Sequence, residues 1–137
     1  MTIKIDDNKL TYLPESIGAL SSLTELSISS NEVSELPHSF CELRDLRKFV
    51  AQDNQLRNLP HEFKRLSKLQ VIMLSNNKLE DIPVSMLYLR PLRLKLEGNP
   101  IQHQETLTYV KSHGALPLVR IGMDFLVILR SQYSYLP

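Results

Sequence analysis

Two histidines, His38 and His61, each follow a proline and stand 23 residues apart, and Cys41 is the sole thiol. Imidazoles stacked side by side can share a metal ion, and a thiol beside a base can act as a nucleophile. The surrounding residues complete neither arrangement. Glu15 and Val84 hold the equivalent positions on either side of the two histidines, and one carboxylate added to two imidazoles is a thin ligand set beside an ordinary zinc site. We therefore expect both histidines in solvent, with no metal. Cys41 follows Phe40 at a position filled elsewhere by Gly18, Lys64 and Leu87, which points to a partly covered, unreactive thiol. G-x-S-x-G and H-E-x-x-H are missing, and four glycines leave no room for a phosphate-binding loop. The expectation is a protein with no catalytic residue and no cofactor, whose function is to bind.

The elements that would position a binding surface come from a repeat. Asn8, Asn31, Asn54 and Asn77 are each 23 residues apart and Asn99 follows after 22, while Pro14, Pro37, Pro60 and Pro83 keep the 23-residue step. Apolar residues recur in phase with them: Leu23, Leu26, Ile28, Val33 and Leu36 around Asn31, then Leu46, Phe49, Ala51, Leu56 and Leu59 around Asn54. The pattern is L-x-x-L-x-L-x-x-N-x-L-x-x-L-P. In the L-x-L step alternate side chains of a short strand face opposite ways, so Leu26 and Ile28 turn inward and Ser27 outward. Stacked coils then make a parallel sheet over one continuous hydrophobic column. Each Asn stands where the chain leaves the strand, and its amide can satisfy loop backbone groups that no ladder reaches. The five asparagines are thus expected to be structural. After each Leu-Pro pair, Ile17, Phe40, Phe63 and Met86 precede Leu20, Leu43, Leu66 and Leu89 by three residues, a spacing that suits a helical or 3-10 turn.

This pattern resembles the leucine-rich repeat, and its length and Leu-Pro pair resemble the intracellular Ras-group class of that family. The resemblance covers about residues 1–101 and implies an α/β solenoid: a curved parallel sheet of about five short strands, with short helical or 3-10 turns on the convex side. "GNPI" at residues 98–101 resembles the terminal segment of the class, so residues 102–137 are read as a helical C-terminal cap, with one helix over about 102–113. The apolar stretch through Phe125 and Leu126 would cover the last coil, or leave a docking face. Ile3 and Ile5 start the array in mid-phase, as in a fragment or a short relative of a longer array.

Composition sets the outer bounds. A chain of 137 residues, 42% hydrophobic and 23% charged, is one domain able to bury a core. It opens without a secretory signal, and its run Phe125–Leu129 is too short for a membrane span, so a cytoplasmic protein is expected. Net charge is +1, but residues 1–43 hold two lysines against seven acids, whereas residues 44–99 hold eleven basic residues against six acids. That polarity would orient a partner. Nucleic acid is not the expected partner, because the basic part is diluted by acids and lacks an aromatic platform.

The register also lays out the concave face. Its first outward column is Thr2, Glu25, Lys48, Val71, Arg93 and its central one Lys4, Ser27, Val50, Met73, Lys95. Beyond them run Asp6, Ser29, Gln52, Ser75, Glu97 and then Asp7, Ser30, Asp53, Asn76, Gly98. Val50, Val71 and Met73 form an apolar island with Lys48, Arg93 and Lys95 around it and Gln52 and Asp53 beyond, the anatomy of a protein interface. The expected function is a non-catalytic interaction module in intracellular signalling or scaffolding. The resemblance implies partners such as a small GTPase, a phosphatase or a polarity protein. Two alternatives stand: the recognition or regulatory segment of a larger enzyme such as a ubiquitin ligase, cyclase or kinase, and a self-associating structural unit in which acidic coils meet the basic middle of another copy.

Overall fold

In the computed structural model each strand is three residues long: β1 Thr2–Lys4, β2 Glu25–Ser27, β3 Lys48–Val50, β4 Val71–Met73 and β5 Arg93–Lys95. The structure describes residues 1–83, 85–86, 89 and 93–101. The cap expected over 102–137 lies outside the described residues. The strands form one parallel sheet in chain order. Thr2, Glu25, Lys48, Val71 and Arg93 stand side by side, as do Lys4, Ser27, Val50, Met73 and Lys95. The last step, Val71 to Arg93, is one residue shorter than the others, yet the pairing keeps the same phase. Pro83 keeps its place after Asn77, so the missing residue falls between Pro83 and Arg93.

Period-two alternation puts Leu26, Phe49, Ile72 and Leu94 in one buried column and Ile28, Ala51, Leu74 and Leu96 in the next. Removing each large side chain from water contributes roughly 1.5–3 kcal/mol. Phe49 is bulkier than the leucine or isoleucine in the coils beside it, and Ala51 two residues on is smaller, so the third coil conserves its volume. The Phe49 ring lies 4.8 Å from that of Phe40, tilted by 55°, and Phe40 stacks on Phe63 at 6.2 Å. Two of these rings come from the convex turns, so aromatic packing ties both sides of the solenoid together.

Those turns are 3-10 helices at Glu15–Ala19, His38–Glu42 and His61–Arg65. Each is preceded by the repeat proline as N-cap residue, with φ of −70°, −65° and −56°. Proline has no N–H to donate, but its carbonyl accepts: Ile17, Phe40 and Phe63 N–H each donate to it at 3.0 Å.

The asparagines form a ladder between coils. Asn54 Nδ2 donates to the carbonyls of Ile28, Ala51 and Gln52, and its Oδ1 accepts from Val33 N–H at 3.0 Å. Asn31 and Asn77 repeat the pattern on Leu10 and Leu56 N–H, and Asn99 accepts from Leu79 N–H. Just before each of them the chain turns through the left-handed region, at Asp7, Ser30, Asp53, Asn76 and Gly98, with φ between 54° and 76°. Four of these positions carry side chains in a conformation that ordinarily favours glycine, and three of the four are Asp or Asn, the types that tolerate it best.

Candidate functional site

The outward side chains of β1 to β5 and of the four residues after each strand make one face, and sheet register alone brings its residues together. Val50 lies opposite Met73, and Lys48 opposite Val71, so the three apolar side chains share adjacent strands. All three are half-buried, as are Lys48, Gln52 and Lys95, whereas Asp53 and Arg93 are exposed. The inward neighbours Phe49 and Ile72 are fully covered. Ordinary strand alternation therefore separates fold residues from face residues.

A depression of about 250 Å³ opens beside the island, lined by Lys4, Asp6, Glu25, Leu26, Ser27, Lys48, Val50 and Met73. It lies toward β1 and β2, because the central column there carries Ser27, whose short side chain leaves space between Lys4 and Val50. The island forms one wall of the concavity. Val50, Met73 and Lys48, expected as contact residues, line the depression together with Lys4, Asp6, Glu25 and Ser27, which were expected on the same face but outside the contact set. The available signal was one small residue in a column of long ones.

Polar groups along the far side of this face are fixed by the coils themselves. Asp6 Oδ1 accepts from Ser27 Oγ at 2.6 Å and from Ser29 N–H at 2.7 Å. Ser75 Oγ donates to Glu97 at 2.7 Å, and Asn76 Nδ2 donates to Asp53 at 2.9 Å. The Ser75 hydroxyl, then Glu97's own backbone N–H, hold the Glu97 carboxyl below the usual value of 4.5, against a smaller opposing effect of burial. The cations on the near side, Lys4, Lys48, Arg93 and Lys95, stand outside the ion pairs of the described residues, which join Arg44 and Arg65 to Glu42 and Lys68 to Asp45.

A larger and shallower groove of about 880 Å³ follows the Leu-Pro pairs, with Leu13, Leu36 and Leu59 as its floor and Tyr12, Glu15, His38 and His61 along it. Tyr12, 68% exposed, went unnoticed in the sequence because it has no counterpart in the other coils. The candidate site is the concave face, where apolar and charged groups converge on one depression. His38 and His61 are both exposed. No group of three or more metal-ligating side chains occurs among the described residues. Cys41, expected to be partly covered, is buried, and burial, then Glu62, pushes its thiol up to about 11. The thiol therefore stays protonated at neutral pH and unreactive, since the nucleophilic form is the thiolate.

Residues 1–56 match the family model described as leucine rich repeat. Among solved structures the chain is similar to a leucine-rich repeat protein of Leptospira interrogans, at 27% identity and a TM-score of 0.64, over 83% of this chain and 35% of that one. It is similar also to a chain of the BIR3–SERK2 complex from Arabidopsis thaliana, at 31% identity and a TM-score of 0.65, over 71% of this chain and 55% of that one. A third is the leucine-rich repeat ectodomain of the plant membrane receptor kinase GASSHO1/SCHENGEN3 from Arabidopsis thaliana, in complex with CASPARIAN STRIP INTEGRITY FACTOR 2, at 29% identity and a TM-score of 0.65, over 72% of this chain and 12% of that one. The chain thus spans well under two thirds of the length of each. No curated protein sequence matches it. The parallel sheet, the 3-10 turns and these likenesses agree on a leucine-rich repeat solenoid.

Proposed function

We propose that this leucine-rich repeat solenoid is a non-catalytic protein-binding module whose concave face docks a partner within an intracellular signalling or scaffolding assembly. The carrying observation is the cluster of Val50, Val71 and Met73, half-exposed on adjacent strands beside a depression. Around it Lys48, Arg93, Lys95, Gln52 and Asp53 supply a polar rim. Three apolar side chains left half in water at the centre of a polar face are better accounted for by a partner than by folding, since each contributes roughly 1.5–3 kcal/mol once covered. The 23-residue step and the Leu-Pro pair favour the Ras-group-like class, and with it an intracellular partner such as a small GTPase, phosphatase or polarity protein.

The expected result of Met73→Lys, or of Val50→Lys, is loss of partner capture from cell extract with the thermal midpoint nearly unchanged. Unfolding by either substitution, or undiminished capture, would sink the reading.

A second reading is favoured by the share of its neighbours that the chain spans, 12% in the case of the plant receptor kinase. On that reading the repeats are the recognition segment of a longer protein, and the length of the full transcript decides it. Among the described residues no helix is long and apolar enough to cross a membrane.

A further inference from the structure

The concave face is divided in charge across the strands. Its first two columns hold Lys4, Lys48, Arg93 and Lys95 against the single acid Glu25. The two columns beyond the strands hold Asp6, Asp7, Asp53 and Glu97 and no cation. Val50, Val71 and Met73 lie on the basic side, in the first and central columns; Gln52 and Ser75 stand beyond them in the column that also holds Asp6 and Glu97, and Asp53 lies one column further. Hydroxyl, amide and backbone donors hold Asp6, Asp53 and Glu97 in place. The cations have no ion-pair partner among the described residues. The separation is therefore built into the scaffold.

An occupant that covers the island must also satisfy its own backbone. A partner strand laid on these side chains would press unpaired N–H and C=O groups onto Val50, Val71 and Met73, whereas a helix pairs its own backbone internally. Dimensions agree with a helix. Two residues of strand separate the central column from the next by about 7 Å, and a helix with its side chains is about 10–12 Å across, so one laid along the central column meets both charged sides. Four strand spacings give about 19 Å of face, the length of about 13 helical residues.

We propose, resting on the protein-binding reading, that the occupant is an amphipathic helix of a partner protein laid across the strands. Its apolar stripe covers Val50, Val71 and Met73. A carboxylate-bearing flank faces Lys48, Arg93 and Lys95, and a Lys- or Arg-bearing flank faces Asp6, Asp53 and Glu97. The charge division sets the direction in which the helix lies, since a reversed helix would bring like charges together on both sides.

The test uses the full chain and three designed helical peptides of about 15 residues, long enough to span the face. All carry the same leucine stripe; one has Glu on one flank and Lys on the other, one has the same residues mixed on both flanks, and one has Glu throughout. Fluorescence anisotropy should show the divided peptide binding at least about tenfold more tightly than either other at about 0.05 M salt, with the gap closing toward 0.5 M as screening shortens the range of the charges. Lys48→Glu with Lys95→Glu should remove that preference. Equal affinities, tightest binding of the all-Glu peptide, or no binding by any peptide would overturn the proposal. If these peptide results fail while Met73→Lys still abolishes capture of cellular partners, the binding-module reading stands and only the helical occupant is lost.

Discussion

Asn8 and Asn54 are the same residue at the same point of the repeat, yet they do different work. Asn8 is exposed and donates only to Ile5 and Asp6 of its own coil. Asn54 is buried, reaches back to the Ile28 carbonyl and accepts from Val33 N–H of the coil before it. The apolar columns differ in the same way: Ile3 and Ile5 of the first coil are half-buried, whereas Leu26 and Ile28 are fully covered. A repeat residue acquires its energetic value from its neighbour on the preceding coil, as expected of a quasi-one-dimensional fold.

The sharpest way to break this comparison is to remove the amide in both places. Asn54→Ala strands the Val33 N–H in a buried setting, while the Ile28 carbonyl keeps Asn31 Nδ2 as a donor; at about 1–3 kcal/mol for the orphaned N–H and about 1 kcal/mol for the bond lost at Ile28, a loss of about 2–4 kcal/mol is expected, against under about 1 kcal/mol for Asn8→Ala. Urea unfolding midpoints measure both, and equal losses would mean that the ladder carries no coupling between coils. The apolar columns give a smaller contrast. Leu26→Ala should cost about 3 kcal/mol and Ile3→Ala about 1–2 kcal/mol, because a half-exposed site has less transfer energy to lose and can collapse more freely. A calorimetric series on the two variants checks the order.

The smallest effect concerns Glu97, whose folded pKa lies below its ordinary value. A carboxyl of this kind contributes stability that is present above the unfolded value and lost as pH falls through the lowered folded one. Being largely in water, it should move the acid limb of the stability curve only slightly, and Glu97→Gln should flatten that limb by lowering stability slightly at neutral pH while leaving it nearly unchanged in acid.

Much of this was legible in the sequence because a solenoid writes its period directly into the chain. The positions of Leu26, Phe49 and Ile72 follow from strand alternation once the asparagines set the phase. The Ser27 depression was less visible, since it depends on how the short side chain sits between Lys4 and Val50 in adjacent strands. The left-handed turns left a signal that went unread: Asp7, Asp53, Asn76 and Gly98 are of the types that tolerate that region, and Ser30 alone is not. Gly98 has a different constraint, because a Cβ there would collide with Asn76 Oδ1. Cys41 was judged by its unlike counterparts, Gly18 and Lys64, but its exposure is set by the coils on either side.

The coil that is one residue short has a wider consequence. Its deficit falls between Pro83 and Arg93, and Arg93 still pairs with Val71 in the common phase. A deletion within a strand would have flipped every later side chain to the other face. The convex side thus acts as a buffer that absorbs changes in chain length before they reach the sheet. Loops could be inserted or trimmed there without altering the order in which the concave face presents its side chains.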